Sequence, residues 1–389
     1  MLRRAVTSFG LSSTAGSPPR RRIVLVAAIA LAAACGGDPI RIGLAGPFGE
    51  PRAESMRRAA ELAVREINDS GGVRGRPLEL VVEDDQGSTE RAILVARRFR
   101  DDPSIVAVIG HLASGTTLAA APVYNDARNG LPAISPSASS PALTAAGPYT
   151  FRVCPTDLVH GGRLAAWAVD QLGATRAAVI YLNDDYGRGV RRVFDQEFTR
   201  RKGRLVSDDP YLDDLPAFLP YLERIRNRGG TDVLLIAGTR AGAERILAAL
   251  DTLEFRPTVM GGDGLAGMEQ AGAMTDGVLV STAYLPDRPG NRNAAFVRDY
   301  RAAYQNQDPD HRGAAAYDAM YLLARALDAA GVDRDRVREY LAGVGTATEA
   351  FDGVTGRIAF DANGDVPDKD VVIGVMRDGR IVTAPERRP

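Results

Sequence analysis

Cysteine is almost absent: the chain of 389 residues has two, Cys35 and Cys154. A disulfide framework and a cysteine-based zinc site are both excluded. Histidine is nearly as scarce, with His111, His160 and His311 alone, and no metal-spaced set involves them. Of the 48 basic residues only Lys202 and Lys369 are lysine, a skew read here as genome composition and not as phosphate recognition. The formal net charge is −1, so the basic patch that nucleic acid requires is missing. The apolar run Ile23–Ala34 has twelve residues, short of the about 20 that span a bilayer. Enzyme signatures are missing too. Ser114 lacks the glycine two positions earlier that a nucleophile elbow needs. Gly187-Arg188-Gly189 is not followed by the third glycine of a dinucleotide fingerprint. An enzyme, a cofactor and a metal are therefore not expected.

What is present begins with export. Arg20, Arg21 and Arg22 precede the apolar run, which ends in small residues before Cys35, the pattern of a signal segment over 1–34. Leu31-Ala32-Ala33-Ala34-Cys35 resembles a bacterial lipobox, with its leucine four residues before the cysteine instead of three. That resemblance implies cleavage before Cys35, lipid on Cys35, a tether over 35–39 and a chain anchored at the periplasmic or extracytoplasmic face of a bacterial membrane. An ordinary secretory signal with a chance cysteine is the alternative. The segment carries five arginines and no acid, leaving 43 basic against 49 acidic side chains, a net of −6. With Cys154 unpaired, the exported part must be held by its core, and its length suggests two domains.

Strand-like and helical runs alternate along most of the chain. Ile40–Leu44, Leu78–Glu83, Ile105–Ile109, Leu131–Ile134, Ala177–Leu182, Leu205–Ser207, Val233–Ala237, Thr258–Met260 and Val278–Ser281 read as strands, most of them apolar on both faces as parallel strands between helices are. Met56–Asn68, Arg91–Arg100, Ala119–Ala127, Arg163–Leu172, Val190–Thr199, Ala241–Leu250 and Ala314–Ala330 carry helical periodicity. The series breaks at Phe151–Asp157 and restarts. A long helical stretch follows Ser281, then strand-like Gly356–Phe360 and Val371–Val375, a hairpin turn at Asp378-Gly379 and a tail expected to fray over 382–389. The fold class is α/β: two doubly wound, Rossmann-like lobes with three crossing connections. Lobe one is expected over 40–154 plus 283–344, and lobe two over 155–282 plus 345–389.

The stretch Val108–Thr144 puts two polar turns at the ends of adjacent strands, where open α/β sheets bind ligands. Its motifs Gly110-His111-Leu112-Ala113-Ser114-Gly115 and Ile134-Ser135-Pro136-Ser137-Ala138-Ser139-Ser140-Pro141 come first. With Phe151-Arg152-Val153, Asp185-Tyr186-Gly187-Arg188-Gly189 and Ala316-Tyr317-Asp318-Ala319, in this order and spacing, the chain resembles the Leu/Ile/Val-binding-protein type of periplasmic binding proteins of type I fold, which serve branched-chain amino-acid ABC transporters.

That resemblance implies a small-molecule ligand, an amino acid, held between lobes that close by hinge bending, with an ABC permease and the membrane as partners and a monomeric chain. Ser114 and Ser139 match the positions that hold the ligand carboxylate, and a backbone carbonyl at Ser137 would take its ammonium. Asp263 stands where an acid receives that ammonium, Tyr186 where the second lobe closes over the ligand, and Phe48 where an aromatic covers its side chain. Two departures bear on the side chain of the ligand: the 46–51 loop is short, and Ala113 occupies a position of an absent cysteine pair. The bare residues leave other roles open: Ser114 as a helix N-cap, 135–140 as a Ser/Pro turn, Asp263 as a turn residue, Tyr186 as a packed turn aromatic, and His111 as a structural neighbour of the first turn. A ligand-sensing or cell-wall-synthase-regulating lipoprotein of the same fold is the rival function, and Gly36 after Cys35 leaves outer-membrane placement open.

Overall fold

A computed structural model describes residues 37–386. The signal segment and Cys35 lie outside the described residues. Two sheets organise the rest. The first holds β1 (Ile40–Gly46), β2 (Leu78–Asp84), β3 (Ile105–Ile109), β4 (Ala133–Ser135) and β5 (Thr150–Arg152) in the order β2-β1-β3-β4-β5, all parallel. The second holds β6 (Arg176–Leu182), β7 (Arg204–Tyr211), β8 (Val233–Ala237), β9 (Thr258–Gly261) and β10 (Leu279–Thr282). A small hairpin of β11 (Phe351–Gly353) and β12 (Gly356–Ile358) stands apart. β13 (Val372–Arg377) and β14 (Arg380–Thr383) complete the second sheet, in the order β14-β13-β10-β9-β8-β6-β7.

Alternation of side chains explains the layers. In β6, Ala178, Ile180 and Leu182 enter one apolar cluster while Ala177 and Val179 enter the opposite one. Helices α1 (Glu54–Asp69) and α9 (His311–Ala330) cover one face of the first sheet, and α2 (Thr89–Asp101) and α3 (Ser114–Tyr124) the other. On the second sheet, α4 (Asp157–Asp170) and α5 (Asp185–Arg200) lie opposite α6 (Leu219–Asn227) and α7 (Arg240–Thr252). Two further helices, α8 (Asn291–Ala303) and α10 (Arg334–Ala342), follow β10 and α9 and pack on the first core through Phe296, Val297, Val337 and Leu341. Strand order reverses between β1 and β3 and again between β6 and β8, so each sheet has a switch point at its carboxyl edge. No helix among the described residues is long and apolar enough to cross a membrane.

The chain passes between sheets after β5, after β10, and once more before β13. The third passage lies later than the sequence suggested. Phe351, Val354, Ile358, Phe360 and Val366 pack in the first core with α9, so 345–366 sits with the first sheet and not with lobe two. The fixing contact is Asp318 on α9. Its carboxylate accepts the backbone N–H groups of Val354 at 2.7 Å and Thr355 at 2.8 Å, together with the Thr355 hydroxyl. Lys369 reaches the same hydroxyl, and burial pushes its ammonium down to about 8. Gly353 must be glycine, because a Cβ there would strike the Asp318 carboxylate. The Ala316–Ala319 motif thus marks a docking point, not a ligand contact.

The tail does not fray at 382. Asp378 and Gly379, with φ of 50° and 72°, make the expected turn. Beyond β14, the Ala384 N–H donates to Ile373 at 2.9 Å and Glu386 pairs with Arg163. Residues 387–389 lie outside the described residues. Replacing Asp318→Ala leaves two buried N–H groups unpaired and strands Lys369, so a loss of about 3 kcal/mol or more is expected in urea unfolding. A loss under about 1 kcal/mol would show that the hairpin is held by its apolar contacts instead.

Candidate functional site

The site is assembled from chain segments that leave carboxyl edges of both sheets. The first is the turn after β3. Gly110, at φ of 134°, approaches Ala45 so closely that a Cβ would strike its carbonyl. Helix α3 then starts at Ser114, five residues earlier than its apolar periodicity indicates. The reason is local: the Thr116 and Thr117 hydroxyls bond back to the Ala113 carbonyl at 3.0 and 2.7 Å, closing a polar first turn. Ser114 is accordingly the first helical residue and not the N-cap, a place taken by Ala113 without a side-chain bond. The first N–H groups of a helix have no intrahelical partner. The buried Ser114 Oγ accepts from Ser140 N–H at 3.1 Å, which joins the first turn to the Ser-rich loop.

That loop is braced from behind. The His111 carbonyl accepts the hydroxyls of Ser135 at 2.7 Å and Thr117 at 3.1 Å. The His111 ring lies between Asp85 (2.6 Å) and Tyr124 (3.1 Å), wholly buried, which is a structural role. Arg152, also buried, donates to the Ser140 carbonyl at 2.7 Å, to Thr144 Oγ1 at 2.9 Å and to Asp365 at 2.6 Å. Ser137 is half-buried in the loop, whereas Ser139 is buried with no hydrogen-bond partner on its hydroxyl.

Across from this loop stand the first turns of α4, α5 and α9. The Asp157 N–H donates to the Ser139 carbonyl at 2.8 Å, while both oxygens of its buried carboxyl lack hydrogen-bond partners. Burial pushes the Asp157 carboxyl up to about 8; the nearby Ser139 hydroxyl and Arg152 pull it back, and Asp263 and Asp184 add to the rise. Tyr186, half-buried in the first turn of α5, donates to Asp263 Oδ1 at 3.0 Å and accepts the Gly264 N–H at 2.9 Å. Asp263 Oδ2 faces His311 Nε2 at 3.5 Å and His160 Nε2 at 3.8 Å, and its backbone carbonyl accepts Arg312 at 3.2 Å. Burial opposes ionisation of Asp263, but His160, His311, Arg312 and the Tyr186 hydroxyl outweigh it and hold the carboxyl below its ordinary range.

Ser114, Ser139, Tyr186 and Asp263 therefore come together. Tyr186 spends its hydroxyl on Asp263. Phe48 is placed differently, with its ring over Gly46 beside Met56 on the first core. Sequence reasoning missed Asp157, Arg152, His160, His311 and Arg312 as members of the site. Asp157 was visible as an acid opening a helix after the Phe151–Thr156 break; the histidines come from helices about 150 positions apart and carry no spacing signal. Cys154 is free and buried beside the site, with its thiol pushed up to about 12 by burial, which makes it unreactive. Among the described residues no group of three or more His, Cys, Asp or Glu side chains could hold a metal ion.

The arrangement sets neutral donors and helix N-termini on one side and two buried carboxyls on the other, between two α/β lobes. Residues 39–380 match the family described as Periplasmic binding protein, and the chain belongs to that family. A Leu/Ile/Val-binding protein homolog of Brucella abortus is 28% identical over 357 residues, covering 88% of this chain and 91% of that protein. Among solved structures, an ABC transporter substrate-binding protein from Desulfitobacterium hafniense in complex with Leu has a TM-score of 0.78 and 31% identity, covering 90% of this chain and all of the other. A branched-chain amino acid transporter substrate binding protein from Streptococcus pneumoniae, in complex with isoleucine, has a TM-score of 0.81 and 26% identity over the same 90% of this chain. The fold is that of the type I periplasmic binding proteins of the Leu/Ile/Val-binding type. These relatives are substrate-binding proteins of transporters and not enzymes.

Asp157 sets a pH dependence. Its folded pKa lies above the unfolded one, so the folded state holds the proton more tightly. Its contribution to stability is full below the ordinary aspartate range and is lost as pH rises to about 8. Without ligand, Asp157→Asn should remove up to about 1.4 kcal/mol per pH unit of that slope between about pH 5 and 8. Chemical unfolding at several pH values measures it, and parallel curves for both proteins would contradict the assignment.

Proposed function

We propose that this protein is the extracytoplasmic substrate-binding component of an ABC transporter, capturing an amino acid or a similar small zwitterion between its two lobes and delivering it to a permease. The observation that carries this reading is a group of buried polar atoms without hydrogen-bond partners around Asp263: Ser139 Oγ, both oxygens of Asp157, and ring nitrogens of His160 and His311. Buried polar groups are ordinarily bonded, so this group is built for something polar that arrives from outside.

The polarity of the site orients the guest. Its carboxylate goes to the first turn of α3, where free N–H groups, the positive helix end and the Ser114 and Ser139 hydroxyls supply donors. Its ammonium goes to Asp263 and Asp157, with the Ser137 carbonyl as a further acceptor. A cation arriving at Asp157 returns that carboxyl to its charged form, because opposite charge favours ionisation.

Closure of the lobes buries the ligand and presents a combined outer surface to the permease. The ligand favours the closed state only by the contacts it gains there. Cys35 carries the lipid that holds the monomeric chain at the outer face of the membrane. The rival, a regulatory lipoprotein that binds another protein in place of a ligand, has no use for a buried zwitterion-shaped polar set. Neighbouring permease and ATPase genes favour transport; their absence favours sensing.

The test is a thermal-shift screen of the domain against the common amino acids, followed by calorimetry. L-leucine or a related amino acid should raise the melting temperature, since a ligand of the folded state alone stabilises it. Ser114→Ala and Asp263→Ala should each weaken binding by about 1–3 kcal/mol. Unchanged affinity in both variants would contradict the site.

A further inference from the structure

Two buried imidazoles stand beside the Asp263 carboxyl. His160 lies one turn into α4 and His311 opens α9; they are 1% and 5% exposed, and each directs Nε2 at the same oxygen, Asp263 Oδ2. Neither makes a hydrogen bond through that nitrogen. The separations of 3.8 and 3.5 Å exceed a direct bond, so neither imidazole is committed to the Asp263 carboxylate through Nε2. His160 Nδ1 is 3.0 Å from Ser281 Oγ. With the ring proton on Nδ1, donated to Ser281, Nε2 is a lone pair. His311 is free at both nitrogens and can take the same tautomer.

We propose that His160 and His311 are specificity-determining residues: as neutral imidazoles they complete, with the Asp263 and Asp157 carboxyls, the acceptor set that the N–H bonds of a primary ammonium share. The inference rests on the amino-acid reading and deepens it. A primary amine fills that set. An N-alkylated amine brings one N–H fewer and a methyl group that cannot be accommodated against a lone pair. Protonation turns either imidazole from an acceptor into a donor and places a positive charge beside the cation, so the set also loosens on acidification.

The surrounding charges favour the neutral state. Facing the pair are Asp263 with Tyr186 on it, Asp310 and Arg312 on either side of His311, and, for each ring, the other; Asp157 and the Cys154 thiol lie on the Asp263 side, and Glu269 near Asp310. Arg312 is already committed, donating to Asp310 at 2.9 Å and to the Asp263 carbonyl at 3.2 Å. Burial, and then Arg312, bring His311 down to about 4 against the pull of Asp263 and Asp310; burial likewise lowers His160. Near neutral pH each ring is therefore uncharged with one lone pair, which sits on Nε2 when the ring proton is on Nδ1.

Calorimetry tests this with the tightest binder among the common L-amino acids and its N-methyl derivative, using wild type, the double variant His160→Gln/His311→Gln, and His311→Ala. Glutamine keeps an acceptor and cannot titrate, while Asp157 and Asp263 remain in every protein as controls. Wild type should bind the N-methyl derivative about tenfold more weakly or worse, and the loss of affinity owed to the imidazoles should set in below about pH 5, because His311 is brought down to about 4. The double variant should lose clearly less on acidification, and His311→Ala should narrow the preference for the primary amine. A double variant as acid-sensitive as wild type, or an unchanged preference in His311→Ala, overturns the inference while leaving amino-acid binding intact. Failure of every common amino acid to bind overturns the functional reading, and this inference with it.

Discussion

Taking a carboxylate out of water costs several kcal/mol unless opposite charge and hydrogen bonds replace the solvent. Asp157 and Asp263 are both placed under that constraint, and the cleft is organised around it. Asp263 is partly compensated by Tyr186, by Arg312 and by two imidazoles at longer range. Asp157 has only the nearby Ser139 hydroxyl and the charge of Arg152 to offset its burial, and it stays protonated into neutral pH. Opposite them lie the first turn of α3 and the hydroxyls of Ser114 and Ser139. The protein thus separates acceptors from donors across a narrow gap, and a zwitterion satisfies both sides at once.

The supporting structure keeps that gap in shape. Arg152 ties the Ser-rich loop to Asp365, a residue of the last segment before the chain returns to the second sheet. Asp318 and Lys369 secure the same segment to α9, and α9 in turn presents His311 and Arg312. The Ser-rich loop and the last passage between sheets are therefore mechanically linked.

Much of this was legible before any coordinates. Ile105–Ile109 and Val233–Ala237 are buried on both faces, so their unbroken apolar runs gave their bounds to the residue. Short elements were harder. β5 and β11 have three residues each, too few for a period to register. The start of α3 was hidden because Thr116 and Thr117 satisfy the backbone locally and read as a turn. The 345–366 segment was assigned to the wrong lobe because its membership depends on Asp318, a single buried acid whose partners are backbone groups. At the site, Ser114, Ser139, Tyr186 and Asp263 carried recognisable context. His160 and His311 did not, since only tertiary folding turns their rings toward one oxygen.

The most direct measurement is a crystal structure of the protein grown with its tightest-binding amino acid. The account predicts electron density between the lobes, with the ligand nitrogen about 2.7–3.2 Å from carboxyl oxygens of both Asp157 and Asp263 and the ligand carboxylate at the first turn of α3. A ligand bound with the opposite polarity, or held elsewhere on the molecule out of reach of Asp157 and Asp263, would contradict it.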